Sequence, residues 1–317
     1  MTAHQPLVST TIVTRNREEE LRKALEAIQN QTYKNIEIVV VDNASEDNSV
    51  SMIRKEFPIV KLIKLHRNIG CQPGRNIAMA NCNGDIIFNL DDDGTLAQDA
   101  VENVINVFNK HPEVGLVAAS VRVPEEKEKY FSNFNQDETF FYTSIFIGAA
   151  HALKREVLNN AGYFPEYVRG HSEVDLGLRI IDVGWEILYA PNVIMYHAIS
   201  NIERNLNTHT YYQVRHQLET ATRLQPALTA FSQIIWRIFF WFFVSIPKGV
   251  FLGYLKGVYH FILTLPSAIR NRKPISVYAS RKHHYLKFNK VKELSELPDF
   301  SSVGFMESVI WRIKKPK

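Results

Sequence analysis

The sequence predicts an α/β fold: a doubly wound, mostly parallel sheet with helices on both faces, followed by an apolar helical segment. Three observations lead there. Over the first ~120 residues, short β-branched runs alternate with stretches of helical period. Each run is followed at once by polar residues. Past residue 205 the alternation stops, and residues 231–269 are almost continuously apolar and aromatic.

The runs VSTTIVT (8–14), IEIVVVD (36–42), VKLIKL (60–65), DIIFNL (85–90) and GLVAASV (115–121) are short and apolar, as buried strands are. Between them, EEELRKALEAIQNQ places Leu21, Leu25 and Ile28 on one helical face, with its acids at the N-terminal end that the helix dipole favours. Residues 49–57, 73–82 and 97–109 read as helices too, the last aligning Val101, Val104, Ile105 and Phe108. Strand–helix alternation implies right-handed crossovers and a parallel sheet. Residues 124–147 combine charge with dense aromatics and read as a mobile surface segment leading into a strand. GAAHALKREVLNNAGYFPE (148–166) then reads as strand, helix and turn. SEVDLGLRIIDVGWEILYAP (172–191) reads as a helix with Leu176, Arg179 and Ile180 in register, and a strand ending at Pro191.

Composition excludes several classes. Apolar residues at 45% and charged residues at 22% are the balance of a folded protein, and a net charge of +4 gives no argument for nucleic acid. Two cysteines, Cys71 and Cys82, build neither a disulfide framework nor a structural zinc site. MTAHQPLVST has no basic start and no apolar core, so no signal peptide is expected and the cytoplasm is the expected compartment.

Ligands of such sheets bind at the carboxyl ends of the strands. Those ends carry Thr14-Arg15-Asn16-Arg17, Asp42-Asn43-Ala44-Ser45, His66-Arg67-Asn68 and Asp91-Asp92-Asp93. The three aspartates admit two readings. One is a helix N-terminus, with Leu96 opening the helical pattern. The other is a cation site, since a divalent ion removes the repulsion and Asp91 and Asp93 share a side of an extended backbone. The polar strand ends around them favour the cation, with a substrate phosphate completing its shell. No Glu stands where an EF-hand needs one, and no G-x-G-x-x-G follows the first strand, which disfavours a nicotinamide enzyme. In NIGCQPGRN (68–76), Gly70 and Gly74 permit close approach, Pro73 suits a first helical turn and Arg75 reaches an anion.

With these blocks in order, residues 7–200 resemble the inverting GT-A glycosyltransferases of family 2. VSTTIVTRNREEELRKALEAIQNQTYKNIEIVVVDNASEDNS is similar to the nucleotide-binding opening, and NIGCQPGRNIAMANCNGDIIFNLDDDGTL to the block with the DXD motif. GAAHALKREVLNNAGYFPE resembles the acceptor-side strand and helix, and SEVDLGLRIIDVGW the segment with the catalytic base. The resemblance implies a hexosyl-type transfer from a nucleoside-diphosphate sugar to a glycan or lipid-linked hydroxyl, as in polysaccharide biosynthesis, with Mn2+ or Mg2+ as cofactor. It places Thr14, Arg17, Asp42, Asn43, Ser45, Arg75, Asp91 and Asp92 at the nucleotide sugar. Asp91, Asp93 and His197 fall at the metal, and Glu173 at the base with Asp175 as the fallback. The family's E-D-x-D pattern reads Ser172-Glu173-Val174-Asp175 here, so the base is a Glu where Asp is common. For Asp175 the structural reading is a cap on a helix at 174–182, and for His197 an ordinary buried histidine.

The expected division is a catalytic domain at 1–205 and a helical region at 206–317. IIWRIFFWFFVSIP (234–247) is short for a membrane span and carries Arg237. With the stretch after Pro247 it makes two aromatic, basic-dotted helices. These suit the surface of a membrane, with Arg270, Arg272, Lys273, Arg281 and Lys282 toward anionic headgroups. The bland alternative is a helical subdomain packed on protein. The localisation expected is peripheral, at the inner face of the cell membrane. A metal-dependent nucleotidyltransferase and a non-catalytic nucleotide-sugar-binding protein are the rival functions.

Overall fold

The computed structural model describes residues 5–123, 138–167, 170–198 and 205–301. The part of the expected mobile segment at 124–137 lies outside the described residues. The first half alternates as the hydrophobic periods require: β1 (Val8–Thr14), α1 (Glu18–Gln29), β2 (Ile36–Asp42), α2 (Ser49–Glu56), β3 (Lys61–Lys64), α3 (Cys71–Ala80) and β4 (Ile86–Asp91). There follow β5 (Gly94–Leu96), α4 (Ala100–Lys110), β6 (Val114–Arg122), β7 (Phe141–Thr143), β8 (Ala150–Lys154), α5 (Arg155–Ala161), α6 (Ser172–Asp182) and β9 (Glu186–His197). The chain closes with α7 (Leu206–Leu224), α8 (Ala227–Ser245), α9 (Phe251–Arg270) and α10 (Val277–Phe288).

One nine-stranded sheet runs β3-β2-β1-β4-β8-β6-β9-β5, with β7 also paired to β9. Followed through the pairings, β1, β2, β3, β4, β6 and β9 point one way and β5, β7 and β8 the other, so the sheet is mixed but mostly parallel. Its faces bury separate apolar layers. Ile12, Leu21, Leu25, Phe88 and Val104 lie in one, and Val39, Met79, Ile87, Leu153 and Ile180 in the other. Helices thus cover both sides, as a parallel core demands.

Two sequence expectations fail here for nonlocal reasons. Leu96 does not begin a helix: Gly94–Leu96 is a short strand antiparallel to residues 195–197 of β9, and the helix starts at Ala100. Nor does the strand after α6 stop at Pro191. Pro191 has no N–H to give the ladder, so β9 slips register against β6 between Ala190 and Ile194 and then resumes to His197. Helix boundaries shift as well: α3 begins at Cys71, leaving Pro73 within its first turn, and α6 begins at Ser172. Residue 175 therefore lies inside the helix and does not cap it.

The C-terminal helices divide their loyalties. Helices α7, α8 and α9 bury Val214, Leu218, Ile234, Trp241, Tyr254 and Phe261 among themselves. Helix α10 returns to the sheet: Leu286 and Val291 join the main core, and Tyr142 N–H donates to the Val291 carbonyl at 2.7 Å. Helix α8 is the single described helix long and apolar enough to cross a membrane, by length and composition, and 11% of its apolar window is buried. Its Arg237 does not interrupt the apolar outer face, because the guanidinium turns inward to the Gln217 carbonyl of α7 at 2.7 Å. Phe231, Trp236, Phe239, Phe240 and Phe243 are left in solvent, joined by Leu252, Leu255, Tyr259 and Ile262 of α9.

Candidate active site

The carboxyl ends of β1, β2 and β4 meet at one rim, because neighbouring parallel strands end together. Thr14 lies opposite Asp42, and Val13 opposite Asp91. Asp42 is fully buried and both its oxygens accept from the Ser45 N–H at 3.3 Å, which folds residues 42–45 into a tight turn. The Ser45 hydroxyl accepts the Asn16 N–H at 3.0 Å, so the β1 and β2 loops are stitched together. Asn43 braces the third loop, donating to the Gly70 carbonyl at 3.1 Å and accepting the Ile69 N–H at 2.9 Å. Gly70 has φ 93°, a backbone state that favours glycine, and it delivers the chain into α3. His66 and Arg67, expected at this rim, are exposed.

The three aspartates are bound by cations that two of them share. Arg17 Nη1 binds Asp92 at 3.1 Å and Asp93 at 2.5 Å. Arg75 Nη2 binds Asp91 at 2.5 Å, and His197 Nε2 lies 3.3 Å from Asp93 and 3.8 Å from Asp91. Burial works to raise Asp91, but the His197 hydrogen bond and the Arg75 charge outweigh it and hold that carboxyl at about 2. Asp92 goes the other way: burial, with Asp93 and Asp91 beside it, pushes it up to about 7 against the pull of Arg17. Asp91, Asp93 and His197 bring one ligand atom each to within 4.8 Å of one another. Two carboxylates and an imidazole around a charged, partly solvent-accessible point are a donor set that fits a divalent cation.

That convergence depends on the β5–β9 pairing, which sets His197 opposite Gly94. A Cβ at residue 94 would collide with the Met195 side chain, so glycine leaves that space to the buried methionine.

Across the cleft, α6 begins with Ser172 and Glu173. Gln72 Nε2 donates to the Ser172 hydroxyl at 2.8 Å and to Glu173 Oε1 at 3.4 Å, while Ser172 itself donates to Glu173 Oε2 at 3.1 Å. Arg75 Nη1 donates to Gln72 Oε1 at 3.4 Å, so one buried arginine touches both the aspartate side and the Glu173 side. Gly148 makes room for this: a Cβ there would run into Glu173 Oε1 and lie 3.4 Å from Arg75 Nη1. Asp175 is turned elsewhere. It is fully buried between Arg179 Nε at 3.0 Å and Arg223 Nη1 at 3.2 Å, tying α6 to α7.

Several residues here escaped the sequence reading. Gln72 lies one helical turn before Arg75, and that i, i+3 spacing was the available signal. Asn76 clamps Phe164 through both its N–H and its carbonyl at 3.1 and 2.9 Å, fixing the loop before α6. His151, buried beside Phe146 and Phe164, is pushed down to about 3 by burial and by Arg75 and stays neutral. No pattern in the sequence marked it.

Comparison with known proteins agrees with this geometry. Residues 9–165 match the family model Glycosyl transferase family 2. Glycosyltransferase AglE of Haloferax volcanii is 25% identical over 209 residues, 62% of this chain and 68% of that protein. Further curated glycosyltransferases are spanned over less than half of their own length. Among solved structures, the mannosyltransferase PcManGT from Pyrobaculum calidifontis, in complex with GDP-Man and Mn2+, is 20% identical, with 89% of this chain and 88% of that one covered and a TM-score of 0.57. S. aureus TarS 1–349 in complex with UDP-GlcNAc is 16% identical over 89% and 87% of the two chains, with a TM-score of 0.64. The sheet order, the rim and these likenesses lead to one conclusion: the chain belongs to glycosyl transferase family 2 and is a glycosyltransferase with the GT-A fold.

Proposed function

We propose that the protein transfers a sugar from a nucleoside-diphosphate sugar to a glycan or lipid-linked hydroxyl with inversion at the anomeric carbon. The observation that carries this reading is Arg75, a buried cation that contacts Asp91 on one wall and the Gln72–Glu173 pair on the other. Donor diphosphate and acceptor hydroxyl would meet at that arginine.

The roles follow from position. Asp42, Asn43 and Ser45 shape the pocket for the base and ribose, with Thr14 and Arg17 closing over them and Asp92 anchoring Arg17. Asp91, Asp93 and His197 would hold Mn2+ or Mg2+, and the imidazole favours manganese. When bound, that ion supplies neutralisation of the charge growing on the leaving diphosphate. Arg75 adds its own positive charge on the same side. Glu173 takes the proton of the acceptor hydroxyl as the new O–C1 bond forms and the bond from C1 to the diphosphate breaks. Among the described residues Glu173 forms no ion pair and accepts only from the uncharged Gln72 and Ser172, whereas Asp175, paired with two arginines, serves as a structural tie.

We assign catalysis to residues 1–205, with 206–317 appended. The aromatic outer face of α8 and α9 supports attachment to a lipid surface at the inner face of the cell membrane, where a lipid-linked acceptor would reside.

Calorimetric titration with UDP, GDP and dTDP and their sugars, in manganese and again in EDTA, tests the donor site. One nucleoside diphosphate should bind in a metal-dependent way. Binding to none of them overturns the reading. NMR of the product then reads the anomeric configuration, and retention would rule out Glu173 as a base in single displacement.

A further inference from the structure

The proposed base is a glutamate, which has one more rotatable bond to hold still than an aspartate. A buried pair of uncharged side chains holds it. Gln72, in the first turn of α3, is 5% exposed, and Ser172, the first residue of α6, is fully buried. Glu173 itself is half-buried. Its Oε2 accepts the Ser172 hydroxyl at 3.1 Å, and its Oε1 accepts Gln72 Nε2 at 3.4 Å. The Ser172 hydroxyl works in both directions, since it also accepts from Gln72 Nε2 at 2.8 Å. Among the described residues each carboxylate oxygen thus has one donor, and it keeps a second lone pair for a substrate hydroxyl.

The far end of the amide fixes its direction. Gln72 Oε1 accepts from Arg75 Nη1 at 3.4 Å. A reversed amide would set its NH2 against the guanidinium and its carbonyl against the carboxylate. The two charges therefore impose oxygen toward Arg75 and nitrogen toward Glu173. Arg75 is anchored in turn by Asp91 at 2.5 Å and lies over the Phe164 ring, 5.8 Å from its centroid. A neutral amide thus stands between a buried cation and the base. A direct ion pair with an arginine would weaken a base, because the opposite charge stabilises the ionised carboxylate. Gly148 completes the arrangement, since a Cβ there would take the space that Glu173 Oε1 occupies.

We infer that Gln72 and Ser172 are positioning residues: together they hold the Glu173 carboxylate in one orientation, and Gln72 keeps Arg75 from pairing with it. The inference rests on Glu173 as the base in the transfer reading above and adds what aims it. Neither residue exchanges a proton with the acceptor, so the effect of both passes through one carboxylate. The two donors come from different helices, α3 and α6, so a rotation of Glu173 away from either breaks a bond to the other side of the cleft. A reacting group misplaced by a fraction of a bond length loses rate without losing its substrate. Ser172 stands where the resembled pattern has an acid, and its hydroxyl supplies a donor where a second carboxylate would repel the first.

The test compares the full chain with Gln72→Met, which keeps the volume and removes the amide, and with Ser172→Ala, which removes the hydroxyl. Each change is also made in the Glu173→Gln background. The donor probe is whichever of UDP-GlcNAc and GDP-mannose binds in manganese, and glycerol is the hydroxyl probe. Released nucleoside diphosphate gives kcat and KM. Both single variants should lose about tenfold or more in kcat, with donor KM and affinity within about twofold of wild type. In the Glu173→Gln background either change should cost less than about twofold more, because the group it aims is gone. A kcat unchanged in both single variants overturns the inference. So does an equal loss with and without Glu173, which a general packing role would give. A denaturant midpoint accompanies every variant, and Ser172→Ala, the smaller cut, decides where Gln72→Met is unfolded. Glu173→Gln separates the two failures. If it keeps wild-type turnover, the base assignment falls and the positioning roles with it; if it loses turnover while the single variants do not, the positioning roles alone fall.

Discussion

The strand rim and the α8–α9 surface violate the ordinary inside–outside rule in opposite senses. At the rim, Asp42, Arg75, Asp92, Asp93 and His197 are charged or polar and buried. On α8 and α9, Trp236 is 66% exposed and Phe243 68%. Buried polar groups and exposed apolar patches are the informative departures, since scattered exposed leucines are common. The rim is expensive in isolation and is kept together by cross-bracing, Arg17 being shared by Asp92 and Asp93 while Arg75 holds Asp91. The helical surface is cheap to fold but poorly matched to water. On the function proposed here, one region would hold a charged guest and the other would face an apolar neighbour.

Variants can break this contrast. The largest effect expected is for Glu173→Gln: turnover falls about 10^3-fold while nucleotide affinity is unchanged, read by steady-state rates beside calorimetry. Unchanged turnover would remove Glu173 from the chemistry. Next, Asp175→Ala leaves Arg179 and Arg223 without their buried acid and lowers stability by about 3 kcal/mol, read as a fall in denaturant midpoint. A variant that keeps its stability but loses turnover would make Asp175 the base instead. Third, Asp93→Asn or EDTA weakens nucleoside diphosphate binding about 10-fold or more, with manganese restoring it after EDTA but not in the variant. Smallest in its effect on chemistry, Trp236→Glu combined with Phe240→Glu abolishes flotation with anionic liposomes and changes turnover on a soluble acceptor less than about twofold. Wild type that stays in the soluble fraction would show that the aromatic face packs on protein.

The two regions were also unequally legible. Strands β1, β2 and β4 and their polar ends could be read because each is a local pattern: an apolar run, then a side chain that binds its own loop, as Asp42 binds Ser45. The apolar faces of α8 and α9 were equally plain. The β5 strand was hidden, since three residues carry no period and its partner in β9 lies about 100 residues away in sequence. The neutral His151 and the Gln72–Ser172 bond were hidden for the same reason, as both depend on residues brought together only by the closed sheet. Pro191 misled because proline usually ends a strand, and here a slip in register absorbs it. Charge type did not disclose the difference between Glu173 and Asp175. Arg179 and Arg223 did, and only the packing of α6 on α7 brings Arg223 to it.

Gly94 has a consequence for how such an enzyme can diversify. A side chain there would have to displace the buried Met195, which stands two residues before His197 on the partner strand. If Asp91, Asp93 and His197 hold a cation as proposed, a new cation preference would come from exchanging those donor side chains, because the spacing of their anchoring strands is fixed by the backbone ladder. Laboratory evolution toward another ion should find its productive changes at 91, 93 and 197 and few at 94, where any larger residue has first to move Met195.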